Sequence, residues 1–201
     1  MDKNKSRLAL LLQKKFRGDR ARELHVSRAR AGAGMVCPFI ASSDAVVDCM
    51  IRAAHLCEGD VCLDLGCGDG AICLGVGRLQ VPGLTIRGVD IDGVLCETAK
   101  RRCHAFRDCV TIEQRDILDV DLQQAKATVV FTFLVPSCMA TLAETQLRNL
   151  SSGVRIVAYK FPLPAPWVPT AVLSTEDVLS SRGADVFVYL NAPPPPSQSM
   201  S

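Results

Sequence analysis

The sequence predicts a single α/β domain built on a doubly wound parallel sheet with helices on both faces. From residue 61 onward, short apolar segments typical of buried strands alternate with amphipathic helical segments, a pattern typical of βαβ units. A continuous apolar run at 127–133 indicates a central strand that is covered on both sides. Because such crossovers are right-handed, a ligand site is expected at the carboxyl ends of the strands.

The individual elements follow from hydrophobic periodicity and from turn residues. A helix is predicted to reach residue 56 from N-cap candidates Ser42, Ser43 and Asp44. Pro136 is expected to end the fourth strand and Ser137 to cap the helix after it. The later helices are predicted at 71–79, 93–106 and 137–150. The strands are predicted at 61–65, 85–89, 110–113, 127–133, 154–159, 168–173 and 185–190.

Composition indicates one globular core of ordinary size. The chain has 201 residues, 48% of them hydrophobic and 22% charged, which is typical of a folded domain. The net charge of +2 gives no global sign of nucleic-acid binding. Three regions are expected: a basic N-terminal arm or helix at 1–34, the folded domain at 35–191, and a Pro/Ser-rich disordered tail at 192–201.

The N-terminal arm is strongly basic: residues 1–35 include ten Lys or Arg residues. A solvated arm, an organelle-targeting segment and a weak membrane-surface contact all fit a basic amphipathic stretch of this kind. No apolar run approaches the roughly 20 residues that span a bilayer, so no transmembrane segment is expected.

Ten cysteines raise the question of disulfides or metal. They contain no C-x-x-C pair and fall mostly within apolar runs, where cysteine packs as a small hydrophobic residue. Reduced thiols in a reducing compartment are therefore expected. The three histidines are scattered, and no metal site is expected.

The stretch Asp64-Leu65-Gly66-Cys67-Gly68-Asp69-Gly70 follows the first predicted strand. Its glycines allow a tight turn and the close approach of a ligand, and the next helix offers unpaired N–H groups. A pyrophosphate at this position would be repelled by Asp64, whereas a cofactor carrying an ammonium and a sulfonium would be attracted. The loop therefore favours S-adenosylmethionine over a nicotinamide cofactor.

Two further acidic motifs follow the second and third strands. In Gly88-Val89-Asp90-Ile91-Asp92, Asp90 is placed to accept hydrogen bonds from ribose hydroxyls, while Asp92 fits a helix N-cap. In Gln114-Arg115-Asp116-Ile117, Asp116 is placed to accept from the adenine amino group, and Ile117 to pack on the ring. The alternative for Asp116 is a second capping residue.

The fourth motif, Thr132-Phe133-Leu134-Val135-Pro136, ends the fourth strand. Phe133 and the adjoining carbonyls are expected to face the transferred methyl group, and a plain core aromatic is the alternative. Each motif is weak alone. Four in this order, each at a strand end, together indicate a methyltransferase.

With these residues identified, the chain resembles the lysine N-methyltransferases that modify the ATP synthase c subunit and the adenine nucleotide translocase. The likeness runs from about residue 35 to residue 190. Four stretches carry it, namely Pro38-Phe39-Ile40-Ala41-Ser42, Leu63 to Gly70, Phe133-Leu134-Val135-Pro136, and Lys160-Phe161-Pro162-Leu163-Pro164 followed by Trp167.

The resemblance implies a class I, Rossmann-like methyltransferase fold and methyl transfer to a protein lysine, with neither metal nor nucleic acid as partner. It implies a mitochondrial location, with a cytoplasmic one as the alternative; eukaryotic members carry a hydrophobic anchor where this chain has a basic arm. An apolar channel would lower the lysine pKa without a dedicated general base. The residues implied to hold S-adenosylmethionine are Asp64, Gly66, Cys67, Gly68, Asp90, Ile91, Asp116, Ile117 and Phe133. Those implied to line the methyl-transfer end are Phe39, Phe133 and Leu134.

Three other functions remain open on the residues alone. A nicotinamide-dependent oxidoreductase fits the relaxed fingerprint Gly66-x-Gly68-x-x-Ala71, but the chain lacks a Tyr-x-x-x-Lys pair and room for a substrate domain. A non-catalytic binding module would not need acidic residues at all three cofactor positions. A methyltransferase acting on a small molecule or nucleic acid differs only in its acceptor. Lys160 follows the fifth predicted strand, 154–159, and is most simply interpreted as a solvated cation.

Overall fold

The computed structural model of the chain describes residues 39–175 and 184–191. The predicted arm at 1–34, the predicted tail at 192–201 and Pro38 of the motif near the first helix lie outside the described residues.

Four α-helices and seven strands make up the described fold. The helices are α1 (Asp44–Ala54), α2 (Ala71–Arg78), α3 (Gly93–Cys103) and α4 (Pro136–Thr145). The strands are β1 (Val61–Leu65), β2 (Thr85–Asp90), β3 (Val110–Gln114), β4 (Val129–Thr132), β5 (Arg155–Tyr159), β6 (Ala171–Thr175) and β7 (Ala184–Leu190). Short 3-10 helices occur at His104–Phe106, Ile117–Asp119 and Leu147–Asn149.

The strands form one sheet in the order β3-β2-β1-β4-β5-β7-β6. Strands β1 to β5 are parallel, and the order reverses between β1 and β4, so the predicted doubly wound α/β fold is confirmed. The expectation of an all-parallel sheet is wrong for β7, which lies between β5 and β6 and runs antiparallel to both. Only residues 176–183 separate β6 from β7, fewer than a parallel crossover needs.

Pro136 has a different role from the predicted one. It is the first residue of α4, with Val135 extended at the N-cap position, so Ser137 does not cap this helix. Proline suits the first helical position because its fixed φ matches a helix and its missing N–H would be unpaired there.

Two apolar layers cover the sheet. One lies beneath α1 and α2 and includes Met50 and Phe131; the other lies beneath α4 and includes Leu142 and Ile156. Seven of the nine cysteines within the described ranges are buried, which confirms their role as small core residues. No helix in the described ranges is long and apolar enough to cross a membrane.

A polar cluster anchors the end of α1 at the amino edge of the sheet. Arg155, which opens β5, donates to the carbonyls of Ala54 (2.7 Å) and His55 (2.6 Å) and to Asp60 Oδ1 (2.5 Å). Asp60 also accepts from the Thr128 hydroxyl at 2.7 Å. Because the C-terminal end of α1 is held at the amino edge of the sheet, the segment that precedes α1, including Phe39, lies at the opposite, carboxyl edge.

We expect Asp60→Asn to lower the free energy of unfolding by about 2 kcal/mol at neutral pH, because it removes the carboxylate from a nearly buried ion pair. Burial raises the pKa of Asp60, but hydrogen bonds from the Cys57 N–H, Thr128 and Arg155 outweigh it and hold the pKa below 3.8. A lowered folded pKa means that this stability is present above the unfolded value and lost as the pH falls through the folded one. Denaturant unfolding at several pH values measures both effects.

Asp48→Asn is the matched control, since Asp48 is exposed on α1 and should change little. Equal stabilities for the two variants would contradict a stabilising role for the Asp60 cluster.

Candidate active site

The glycine loop joins β1 to α2 at the switch point of the sheet. Gly66, Gly68 and Gly70 have φ values of 82°, 52° and 77°, the left-handed region that favours glycine. The N–H groups of Gly66 and Cys67 both donate to the carbonyl of Val89, at 2.9 and 3.0 Å. The loop therefore lies across the carboxyl ends of β1 and β2, and the predicted position of the motif at a strand end is confirmed.

Two apolar side chains lie directly against the glycines. A Cβ built on Gly68 would lie 2.6 Å from Cδ2 of Phe39, and one built on Gly66 would lie 2.8 Å from Cδ2 of Leu134. Neither glycine could carry a side chain without displacing its neighbour. The structure thus brings Phe39 and Leu134, from distant parts of the chain, onto the same loop.

Asp64 is a buried carboxylate at the end of β1, with 5% of its surface exposed. Burial is the main cause that raises its pKa to about 7, and the charges of Asp90 and Asp69 add to it, while a hydrogen bond from Cys73 opposes it. The Cys73 thiol lies 3.6 Å from Oδ2. None of the ion pairs within residues 39–175 and 184–191 involves Asp64, so this carboxylate suits a cationic ligand.

Asp90 ties the loop to the end of β2. Its carboxylate accepts from the N–H of Gly68 at 2.8 Å and from that of Asp92 at 2.9 Å. Burial raises the pKa of Asp90 above its ordinary value in spite of these hydrogen bonds. Asp92 accepts from the N–H groups of Val94 and Leu95 and caps α3, which confirms its predicted role.

Asp116 lies just past β3 and directly follows Arg115, whose N–H donates to the Asp90 carbonyl at 2.9 Å. Its Oδ1 accepts from the Leu118 N–H at 2.9 Å and caps the turn at Ile117–Asp119. The capping alternative is therefore what the structure shows for this oxygen. The adenine contact of Asp116 and Ile117 stays a prediction.

Phe133 lies level with the glycine loop, since Thr132 pairs with Leu65 in the register of β4 against β1. It is half-buried and meets Tyr159 edge to face, with ring centroids 4.7 Å apart. Tyr159 was not predicted as part of the site. The signal that could have found it is its position at the end of β5, the strand beside β4.

The segment after β5 folds back over β7. The Leu163 N–H donates to the Tyr189 hydroxyl at 2.9 Å, and the rings of Trp167 and Tyr189 meet at right angles. Lys160 begins this segment with a φ of 68°, and its N–H donates to the Asp185 carbonyl at 2.8 Å. The contacts of Leu163 and Trp167 show this motif anchoring the segment to the sheet.

The described ranges contain no group of three or more His, Cys, Asp or Glu side chains that could hold a metal ion. The polar groups brought to the carboxyl edge are instead Asp64, Asp90 and Asp116, and the apolar ones are Phe39, Phe133, Leu134 and Tyr159.

Comparison with known sequences agrees with this arrangement. The profile of the ANTKMT methyltransferase domain matches residues 64–171. A protein-lysine N-methyltransferase of Saccharolobus islandicus (strain REY15A) is 27% identical over 157 residues, 76% of this chain and 92% of that protein. The adenine nucleotide translocase lysine N-methyltransferase of Mus musculus is 30% identical over 170 residues, 82% of this chain and 65% of that protein.

A solved structure shares the fold. An RNA methyltransferase from Salinibacter ruber, in complex with S-adenosyl-L-homocysteine, superimposes with a TM-score of 0.65 at 28% identity, and the match covers 78% of this chain and 98% of that one.

Proposed function

Since this chain belongs to the family of the ANTKMT methyltransferase domain and is an S-adenosylmethionine-dependent methyltransferase, we propose that its acceptor is the side-chain amine of a protein lysine. The names of two relatives, from an archaeon and from mouse, support a lysine acceptor. The observation that carries the proposal is that a buried carboxylate, Asp64, and a set of apolar and aromatic side chains lie at the same switch point of the sheet; among the described residues, Asp64 forms no ion pair.

The residues at the carboxyl edge fit the cofactor. S-adenosylmethionine supplies a methyl group on a sulfonium and carries an ammonium beside it. Asp64, buried and without an ion-pair partner in the described part of the chain, would face this cationic end. Asp90 would accept from the ribose, and Asp116 would approach the adenine with its second oxygen. Ile91, Ile117 and Cys67 would surround these polar groups.

The apolar side chains would form the acceptor end. Phe39, Phe133 and Leu134 reach the same edge, and Tyr159 supports the Phe133 ring. A lysine amine must lose its proton before it can attack, because the ammonium has no lone pair. Removal from water lowers the pKa of the lysine ammonium and favours the neutral amine. Positioning of the amine in line with the methyl group then provides most of the catalysis.

The alternative acceptor with a specific observation in its favour is RNA, because the bacterial structural relative is an RNA methyltransferase. The fourth motif of this chain reads Phe133-Leu134-Val135-Pro136 and not Asn/Asp-Pro-Pro-Tyr, which weakens methylation of a base amino group.

Transfer from methyl-labelled S-adenosylmethionine into cell extract distinguishes these acceptors. Label that resists ribonuclease, is released by protease and maps to lysine by mass spectrometry would support the proposal. Label released by ribonuclease would contradict it.

We expect Phe133→Ala to lower kcat about tenfold or more and to leave S-adenosylmethionine affinity nearly unchanged. Without the Phe133 ring, the lysine amine would be less well positioned and more exposed to water. Steady-state methylation of a fixed protein substrate, with calorimetry for the cofactor, measures the two quantities separately.

Phe106→Ala is the matched control, since Phe106 is a half-buried aromatic that packs over Gly77, away from the glycine loop. If Phe133→Ala turned over like the parent enzyme while it bound the cofactor normally, Phe133 would not line the acceptor channel.

The basic residues at 1–34 and the family resemblance support a mitochondrial location and a weak membrane-surface contact, both as proposals. Attachment of residues 1–34 to a fluorescent reporter tests the location. A reporter that remains in the cytosol would contradict it.

A further inference from the structure

The second half of the glycine loop rests on one face of α3. A Cβ built on Gly70 would lie 2.8 Å from Cβ of Ala99 and 3.5 Å from Sγ of Cys103. Ala99, Arg102 and Cys103 are spaced three and four residues apart, so they lie on the same side of the helix. Gly70 therefore packs against α3 as closely as a residue without a side chain allows.

Arg102 binds the loop at Asp69, beside the contact of Gly70 with Ala99. Its Nη1 donates to the backbone carbonyl of Asp69 at 2.8 Å and also forms an ion pair with the Asp69 carboxylate. The two side chains are 28% and 16% exposed, so water screens this pair less than an open surface pair. Hydrogen bonds between charged groups are stronger than neutral ones and give a defined geometry.

The first half of the loop is held at the other end of α3. Gly68 donates its N–H to Asp90, and Asp90 accepts from the N–H of Asp92, the residue that caps α3. The loop is thus attached near both ends of α3: through Asp90 and Asp92 at the N-terminal end, and through Arg102 at the C-terminal end. Of these two attachments, only the one through Arg102 lies outside the residues that would face the cofactor.

Arg102 also sets the charge near Asp64. The negative charge of Asp69 is one of the causes that raise the pKa of Asp64, and the guanidinium of Arg102 lies directly on Asp69. The titratable groups near Asp64 come from every surrounding element: Cys62 on β1, Cys73 on α2, Cys67 and Asp69 in the loop, Asp90 on β2, and Cys103 on α3, which also faces Gly70.

We propose that Arg102 is a positioning residue for the cofactor: it clamps the Asp69–Gly70 half of the loop onto α3 and offsets the charge of Asp69, without touching S-adenosylmethionine. The clamp is independent of the acceptor, and its charge effect rests on the proposed pairing of Asp64 with the cationic end of the cofactor.

The test is S-adenosylmethionine binding by calorimetry on the full chain. We expect Arg102→Met to weaken binding about tenfold, since it removes a sheltered charge-assisted contact. Arg101→Met is the matched control, because Arg101 is exposed on the same helix and bonds only to Thr98 among its described contacts. Arg102→Lys keeps the charge but not the two-point geometry and should lie between them.

A pH series from 5.5 to 7.5 gives a readout that a purely structural role would not change. Arg102→Met should move the midpoint of binding upward by about half a pH unit, because it exposes Asp64 to the full charge of Asp69. Asp69→Asn should move it downward, whether or not Arg102→Met folds well.

Equal weakening by Arg102→Met and Arg101→Met would assign the effect to net charge and overturn the clamp. A midpoint that Asp69→Asn raises or leaves in place would overturn the charge effect. If Asp64→Asn bound the cofactor normally, the role of Asp64 would fail, and the comparison of the two arginine variants would still decide the clamp.

Discussion

Replacement of Asp64 by Asn is expected to weaken S-adenosylmethionine binding about 100-fold, because it removes the negative charge that would pair with the cationic end of the cofactor in a buried site. The variant should remain folded, because the amide has nearly the same shape and the apo site already disfavours a charge there. The carboxylate is 5% exposed and forms no ion pair with any described residue, so the cofactor is its expected partner. Calorimetry with S-adenosylmethionine and S-adenosylhomocysteine measures the loss.

The same carboxylate predicts a pH dependence. The folded pKa of Asp64 is raised to about 7, above the unfolded value of 3.8, so its contribution to the stability of the cofactor-free protein is present at low pH and is lost as the pH rises through about 7. The cofactor pairs with the ionised form. Its affinity, and the rise in Tm that it causes, should therefore increase from pH 5.5 to 7.5, below the range where an α-amino group loses its proton at about 8.

Asp108→Asn, at an exposed aspartate outside the site, should follow the parent profile. The Asp64→Asn profile should be flatter. An Asp64→Asn variant with parent-like affinity at every pH would show that the cationic end of the cofactor lies elsewhere.

Replacement of Gly68 by Ala should be as damaging to the cofactor site. The new Cβ would clash with the Phe39 ring, 2.6 Å from Cδ2 and closer still to Cε2, in a backbone with a φ of 52°. The left-handed conformation alone costs about 1–2 kcal/mol for a residue with a side chain. Because the Gly68 N–H donates to Asp90, any shift of the loop also moves that carboxylate. We expect at least a roughly tenfold loss of cofactor affinity and a lower Tm.

Gly153→Ala separates strain from contact. Gly153 has a φ of 88° and no atom within 4 Å of a built Cβ, so its replacement should lower the Tm and leave binding intact. Phe39→Ala combined with Gly68→Ala should recover part of the affinity, because it removes the clash. Normal binding by Gly68→Ala alone would contradict the close contact of Phe39 with the loop.

The elements around the glycine loop could be predicted because their signals are local. A buried strand, three glycines and an acidic residue at each strand end are visible in a short window, and the switch point then follows from right-handed crossovers. The pairing of β7 with β5 and β6 depends on which strand the chain returns to, and apolar patterning does not encode strand direction. Alternation of this kind looks the same in parallel and antiparallel strands.

The contacts within the site were harder to foresee. Phe39 meets Gly68, and Tyr159 meets Phe133, across 29 and 26 positions of sequence. Only the folded sheet brings them together. The clamp of Arg102 on Asp69 spans 33 positions, and in the sequence Arg102 is one of several basic residues on the polar side of a helix.

A structure of the protein with S-adenosylhomocysteine tests the cofactor site most directly. We expect the ligand to lie across the carboxyl ends of β1 and β2, with its ammonium against Asp64, its ribose hydroxyls at Asp90, and its sulfur turned toward Phe133. A ligand bound away from the glycine loop, or one with its ammonium remote from Asp64, would contradict the assignment of this site.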